Sequence, residues 1–529
     1  MHKYLTYNGT PFPPADQNGV VMSQPAEIVT SEIPQLYHYV NGEKITGNSG
    51  RFGDIFNPSL GIKSAEVPLA SKAEVEAAIA VAQEAFSGWA ATSVLQRSRV
   101  MTKFVHLLYE HQHELAELVS KEHGKVIEDA MGSVLRGIEV AEFACGAPHQ
   151  QKGEFSDNVA NGMDIYSMRK PLGVVAGITP FNFPAMIPLW MATMALVTGN
   201  TVVLKPSEKD PSCPLRMAEL FLEAGGPPGV FNVVNGDKEA VDTLLNDERI
   251  KAISFVGSTA IAKYVYATAS ANGKRCQAMG GAKNHMLILP DADLEDVANA
   301  LMGAAYGSAG ERCMAIAVGV CVGDEVADQL IEILKPRVEA LRIGASLDTG
   351  LEMGPLVTKE HREKVMGYIQ MAQDEGSSLV VDGRDFVCEG YENGYFIGGS
   401  LIDHVKPGMQ SYQEEIFGPV LQIARSSSFD EGMAMATDHP YGNGAAIFTN
   451  NGAAARTFAD KVEAGMVGIN VPIPVPLAFH SFGGWKSSAF GDHNQYGMEA
   501  MRFYTKVKTV TTRWQDKGLE TEFSMPVLK

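Results

Sequence analysis

Cys313 stands in the segment Gly310-Glu311-Arg312-Cys313-Met314. A lone cysteine is most often a small buried hydrophobe. Two neighbours set this one apart. Gly310 permits an unusual turn, and the positive charge of Arg312 favours a thiolate, the nucleophilic form of the side chain. The other five cysteines lack such company. Cys321 sits in an apolar run, Cys145 in a helical stretch and Cys213 between prolines, while Cys276 and Cys388 have no supporting group.

Three further stretches suit a ligand. They are residues 178–182 (ITPFN), 205–208 (KPSE) and 257–259 (GST). Each follows a short apolar run, and an open parallel sheet binds its ligand beyond the carboxyl ends of its strands. A strand, then Gly-Ser, then a helix start offers free N–H groups and a partial positive charge to a pyrophosphate. Lys205 and Glu208 can reach ribose hydroxyls. A carboxylate there repels a 2′-phosphate, which favours NAD over NADP. No GxGxxG is present, and Gly257 stands alone, so an ordinary strand–helix turn also fits this segment. There is no HExxH, GxSxG or Walker motif and no metal-ligand set. His111 and His113 are two apart and point to different faces of a helix.

The elements that position these residues can be read from periodicity. Residues 72–89 and the stripe Val100, Phe104, Leu107, Leu108, Leu115, Leu118, Val119 predict a largely helical first third after a strand-like start near 36–46. From Gly173 the apolar runs 173–178, 201–204, 229–234, 252–256 and 285–289 alternate with helical stretches near 184–198 and 214–224. Five strands with helical crossovers predict a parallel, doubly wound α/β sheet. A second α/β run follows, with helices near 292–309 and 324–341 and strands near 314–322, 419–424 and 445–449. Residues 501–512 alternate like an exposed antiparallel strand whose edges need a partner.

Composition narrows the class. The 529 residues carry 43 basic and 62 acidic side chains, a formal charge of −19. Such a surface repels phosphate backbones and anionic lipid, so neither nucleic acid nor a membrane is an expected partner. Six cysteines without CxxC spacing predict a reduced, cytoplasmic protein rather than a disulfide scaffold. Residues 1–32 hold prolines and polar residues but no apolar core of a secretory signal, and are expected to form an arm.

Taken together, the motifs resemble those of the aldehyde dehydrogenase superfamily. TPFNFP (179–184), KPSE (205–208), PGVFNVVNG (228–236), FVGST (255–259), GERC (310–313) and EEIFGPV (414–420) occur in that family's order across residues 36–514. GAKNH (281–285), GERCMA (310–315), INVPIPVP (469–476) and SFGGWKSSAFG (481–491) are most similar to the CoA-acylating, methylmalonate-semialdehyde dehydrogenase branch.

The resemblance implies an α/β fold with three parts. They are a Rossmann-type NAD domain (36–153 and 172–284), an α/β catalytic domain (285–484) and a small β oligomerisation domain (154–171 and 500–515), after an N-terminal extension (1–35). It implies Cys313 as nucleophile and Asn182, with the Cys313 N–H, as oxyanion hole. The NAD site would hold Thr179, Phe181, Lys205, Ser207, Glu208, Gly257, Ser258, Glu415 and Phe417. Lys205 and Glu208 would take the adenosine ribose, Gly257 and Ser258 the pyrophosphate, Glu415 and Phe417 the nicotinamide ribose and ring. Arg136 and Arg312 would grip a substrate carboxylate, for which an arginine fork is well suited. No metal is implied. The substrate would be a small semialdehyde, the co-substrate coenzyme A and the assembly a homodimer or homotetramer.

One departure bears on the reaction. Hydrolytic members carry ELGGK, whose glutamate activates water. Here the segment 277–283 is QAMGGAK. Counting back from Cys313 puts Met279 at the glutamate position, and a slip of one puts Ala278 there. Neither takes a proton, which favours a thiol acceptor over water. The alternative is a hydrolytic enzyme in which another residue, such as Glu311, serves as base.

Overall fold

The structure is a computed structural model describing residues 33–160 and 162–514. Residues 1–32 of the expected arm, and residue 515 of the last expected strand, lie outside the described residues.

Two large sheets organise the chain. In the first, the parallel strands run in the order Phe231–Val233, Thr201–Lys205, Val174–Ile178, Ile250–Val256, Arg275–Met279. The chain steps outward from Val174–Ile178 through two strands on one side. It then returns to place Ile250–Val256 on the other. A crevice opens at such a reversal, beyond the carboxyl ends. Ile178 pairs with Lys205 on one flank and Phe255 on the other, so the three loops singled out in the sequence leave the sheet at one level.

The expected fifth strand of this sheet, 285–289, is a correction. Asn284–Ile288 lies in the second sheet, paired with Ile316–Val322 and Gly444–Phe448. The fifth parallel strand is Arg275–Met279. Its polar Gln277 masked the apolar pattern, and in the fold that amide is satisfied by Ser254 Oγ at 2.9 Å. The second sheet runs Ser378–Val381, Ser400–Val405, Val420–Ser426, Ile316–Val322, Asn284–Ile288, Gly444–Phe448, Met466–Ile469. All its pairs are parallel except the first.

Helices cover the sheets. The stripe read as one helix is broken at His111 into Val94–Glu110 and Gln112–His123. Ile127–Cys145 packs on Met186–Val197, a helix whose twelve residues are all buried. Contact is close at Gly137, where a Cβ would meet Leu189 Cδ1 at 2.7 Å and the Met186 Cα at 3.1 Å. Larger residues there would push the two helices apart.

A three-stranded antiparallel sheet stands beside these layers, in the order Thr505–Arg513, Met163–Pro171, Phe155–Ala160. The strand expected from 501 begins only at Thr505. Met498–Phe503 is a helix that buries Ala500, Met501 and Phe503, so packing overrides the alternating pattern. The hairpin Phe52–Asn57 with Ile62–Pro68 has no counterpart in the sequence reading.

Candidate active site

Cys313 lies on the turn between the 3-10 segment Gly307–Gly310 and the strand Ile316–Val322. The turn is left-handed at Ser308 (φ 55°), Ala309 (φ 50°) and Gly310 (φ 73°). Two non-glycine residues in that region store strain, which surrounding contacts must hold. At Gly310 no side chain fits, because a Cβ would lie 2.1 Å from the Gly418 carbonyl oxygen. Two amides then fix the cysteine itself: Asn284 Nδ2 and Asn443 Nδ2 each donate to the Cys313 carbonyl at 3.0 Å. The segment GAKNH was legible as a branch marker, but nothing in the sequence paired Asn284 and Asn443 with the sulfur-bearing residue.

Asn182 comes from the loop after Val174–Ile178 and is buried. Its carbonyl accepts from Lys125 Nζ at 2.7 Å, and its side-chain amide donates to the Glu311 carbonyl at 3.1 Å. The amide nitrogen carries a second hydrogen, available to an oxyanion. Burial pushes the Lys125 ammonium down to about 8, and it lies 4.2 Å from the Phe183 ring centre.

Cys313 lines two sizeable cavities. One, of about 200 Å³, is lined by Phe181, Asn182, Gly257, Ser258, Glu415 and Phe417 among others. The fold therefore brings six of the residues singled out in the sequence to one surface with the sulfur. His361 and Lys364, which no motif flagged, line it as well. The other cavity, of about 240 Å³, has largely apolar walls, with Arg136 and Arg312 among its lining residues. Arg312 is anchored by Asp129 at 2.7 Å. Arg136 pairs with Glu139 at 2.6 Å and donates to the Pro476 carbonyl at 2.9 Å. Each guanidinium is thus held in place with donors to spare.

Removal from solvent dominates the electrostatics. The thiolate expected from Arg312 is not favoured: that guanidinium is paired with Asp129, and burial, with the charge of Glu415 added, pushes the Cys313 thiol up to about 12. Burial likewise lifts Glu415 to about 7, against the Ala282 N–H that donates to it at 2.9 Å.

Glu311, named above as an alternative base, is engaged by other partners. Its carboxyl is fully buried, accepts from the Val357 N–H at 3.3 Å and lies 3.7 Å from His123 and 3.6 Å from His361. Glu311 is not among the residues lining either cavity.

The aldehyde dehydrogenase family model matches residues 45–510. The chain belongs to the aldehyde dehydrogenase family. It is 55% identical over 495 residues to malonate-semialdehyde dehydrogenase of Pseudomonas aeruginosa, covering 93% of this chain and 99% of that one. It is 46% identical to the mitochondrial acylating methylmalonate-semialdehyde dehydrogenase of Arabidopsis thaliana, over 93% of this chain and 81% of that one. Among solved structures, a Sinorhizobium meliloti protein assigned as a methylmalonate-semialdehyde dehydrogenase and crystallised with NAD superposes with TM-score 0.91 at 55% identity. The match covers 92% of this chain and 99% of that one. Methylmalonate-semialdehyde dehydrogenase of Oceanimonas doudoroffii gives TM-score 0.90 at 56% identity, over 92% and 99%.

The first cavity of this aldehyde dehydrogenase and the strand ends beside it together offer features that suit a dinucleotide. Ser258 caps the helix Thr259–Ala271 without a side-chain hydrogen bond, leaving the first amides open to phosphate. At Gly257 a Cβ would meet the Phe255 ring at 2.5 Å, so the backbone there stays bare for close approach. Beyond it, Lys205 Nζ stands 3.3 Å from Glu208. Burial raises the Glu208 carboxyl, but the charge and hydrogen bond of Lys205, its own backbone N–H and the charge of Lys209 together hold it below the usual range. Ser207 is buried in the same turn, its hydroxyl accepting from the Lys209 N–H at 3.1 Å, and the Thr179 hydroxyl is buried without a partner. Thr179, Lys205, Ser207 and Glu208 are not among the residues lining the cavity itself; they sit at the strand ends beside it.

Proposed function

We propose that this chain oxidises malonate or methylmalonate semialdehyde with NAD⁺ and passes the acyl group to coenzyme A. The Cys313 thiolate attacks the aldehyde carbon from the floor shared by the two cavities. The oxyanion is held by the Asn182 amide and the Cys313 N–H. Arg136 and Arg312 grip the substrate carboxylate in the second cavity, which fixes the aldehyde over the sulfur. NAD⁺, bound by residues 205–208, Gly257, Ser258, Glu415 and Phe417, supplies the hydride acceptor that turns the thiohemiacetal into a thioester. The carboxylate now lies β to a thioester carbonyl and leaves as CO₂, the electron pair of the broken C–C bond passing into a thioester enolate that takes a proton from water at its α-carbon. The coenzyme A thiolate then attacks the remaining acyl group and Cys313 leaves as thiolate, giving acetyl-CoA or propionyl-CoA.

The observation carrying the acyl-transfer step is Met279. It closes its strand and packs in the same apolar cluster as Met314 and Cys313. Where hydrolytic relatives place a water-activating glutamate, this chain has Met279, or Ala278 at a slip of one, and neither takes a proton. The names of the relatives support the same reading. Hydrolysis is the competing reading, and the Glu415 carboxyl favours it, since burial brings that group to about 7, a value suited to a base. The Ala282 N–H already holds it, and the role given to it here is the nicotinamide ribose. A single-turnover experiment separates the two. Without coenzyme A, intact-mass analysis should show an acyl adduct on Cys313; rapid loss of the adduct to free acid would favour hydrolysis.

The assembly we propose is a homo-oligomer, through the three-stranded sheet. Its outer strands carry Phe155 and Val507 at 65% and 56% exposure, and their free edges suit a partner. All six cysteines are free, which supports a reducing, cytoplasmic setting, and no described helix is long and apolar enough to cross a membrane.

A further inference from the structure

The second cavity has a polar group that no motif pointed to. The helix Ile127–Cys145 presents Asp129, Gly132, Ser133 and Arg136 to it. These positions recur at three and four, which places them on one helical stripe. Ser133 is 3% exposed, and its hydroxyl has no hydrogen-bond partner. Hydroxyls in helices usually bond back to the carbonyl four residues earlier. Thr102, Thr193, Thr198 and Thr243 all do so here. Ser133 does not, and a buried hydroxyl left unpaired is costly.

The neighbours on the stripe say what would pair with it. Asp129 anchors the Arg312 guanidinium, and Arg136 stands three residues beyond Ser133. The hydroxyl therefore lies between the anchors of the two arginines. The walls opposite, including Phe183, Met186, Trp190 and Phe482, offer an anion little.

We infer that Ser133 is a third donor to the substrate carboxylate, completing the grip of Arg136 and Arg312 and setting the preference for acidic over neutral aldehydes. The inference rests on the proposed semialdehyde reading. Ser133→Ala removes the hydroxyl and suits a helix, so folding should survive.

The test compares kcat/KM for malonate semialdehyde with that for propanal, its analogue without a carboxylate, in the presence of NAD⁺ and coenzyme A. We expect Ser133→Ala to lower the ratio of the two by about 10- to 100-fold, the worth of a hydrogen bond to a charged group. Competitive inhibition by 3-hydroxypropionate, an unreactive carboxylate, should weaken by a similar factor. A ratio unchanged in the variant, whether both activities persist or both fall together, would overturn the role of Ser133 alone. A wild-type protein with no preference for malonate semialdehyde would overturn the substrate reading and, with it, this one.

Discussion

The side-chain amide of Asn182 donates to the backbone carbonyl of Glu311 at 3.1 Å, across 129 residues of chain. This bond ties the loop that would stabilise the oxyanion to the segment that carries the sulfur. The two meet because Asn182 leaves the first sheet at its reversal point, while Cys313 leaves the turn feeding the second sheet. Asn182→Ala should lower kcat by about 10²–10³-fold, the usual loss of one oxyanion donor. Alkylation of Cys313 by iodoacetamide, which needs no oxyanion, should persist. A variant retaining full turnover would remove Asn182 from the mechanism.

How much of this was legible in the sequence depends on whether local pattern and tertiary contact agree. The three strand-end loops were legible because Gly, Pro and short apolar runs mark strand–turn–helix units locally; Cys313 stood out through Gly310 and Arg312, and the role given to Asn182 came from the family resemblance. The Arg275–Met279 strand was not, since its Gln277 is paired across the sheet by Ser254. Neither were Asn284 and Asn443, whose partner is a backbone carbonyl, nor Ser133, whose unpartnered hydroxyl is visible only in the fold.

The turn before the cysteine has no tolerance for a side chain. Gly310→Ala would place a methyl 2.1 Å from the Gly418 carbonyl oxygen at a positive φ. We expect a lower unfolding temperature and a kcat reduced about 100-fold, the scale of a misplaced reacting group. Calorimetry and steady-state kinetics on the purified variant check both, and an unperturbed kcat would contradict the account of the turn.

Burial holds the Cys313 thiol at about 12 in the free protein. Its thiolate fraction then rises about tenfold per pH unit at neutral pH, and thiolate is the reactive form. Iodoacetamide labelling of Cys313 without cofactor should follow that slope from pH 7 to 9. A plateau in this range would show a thiol already ionised.

Glu311 is lifted by burial to about 8. Between the unfolded carboxyl value of about 4.3 and that figure, the folded state binds more proton than the unfolded. This contribution to stability is complete in acid and is lost as pH rises through the window. Glu311→Gln mimics the neutral acid and cannot ionise. Its unfolding temperature should therefore exceed that of the parent at pH 8–9 and not at pH 4–5. The opposite order would mean that the buried carboxylate is charged.

In the proposed NAD site Glu208 accepts from a ribose 2′-hydroxyl and repels a 2′-phosphate. Glu208→Gln should raise KM for NAD⁺ by about tenfold and narrow the preference over NADP⁺. An unchanged cofactor ratio would move the ribose elsewhere.

The central claim is that the acyl group on Cys313 is taken by a thiol and not by water. NADH formation at 340 nm, with malonate or methylmalonate semialdehyde and with or without coenzyme A, tests it most directly. Steady turnover only with coenzyme A, yielding acetyl-CoA or propionyl-CoA by mass spectrometry, is the predicted result. Equal turnover without coenzyme A, yielding free acid, would contradict it and make a carboxyl such as Glu415 the base.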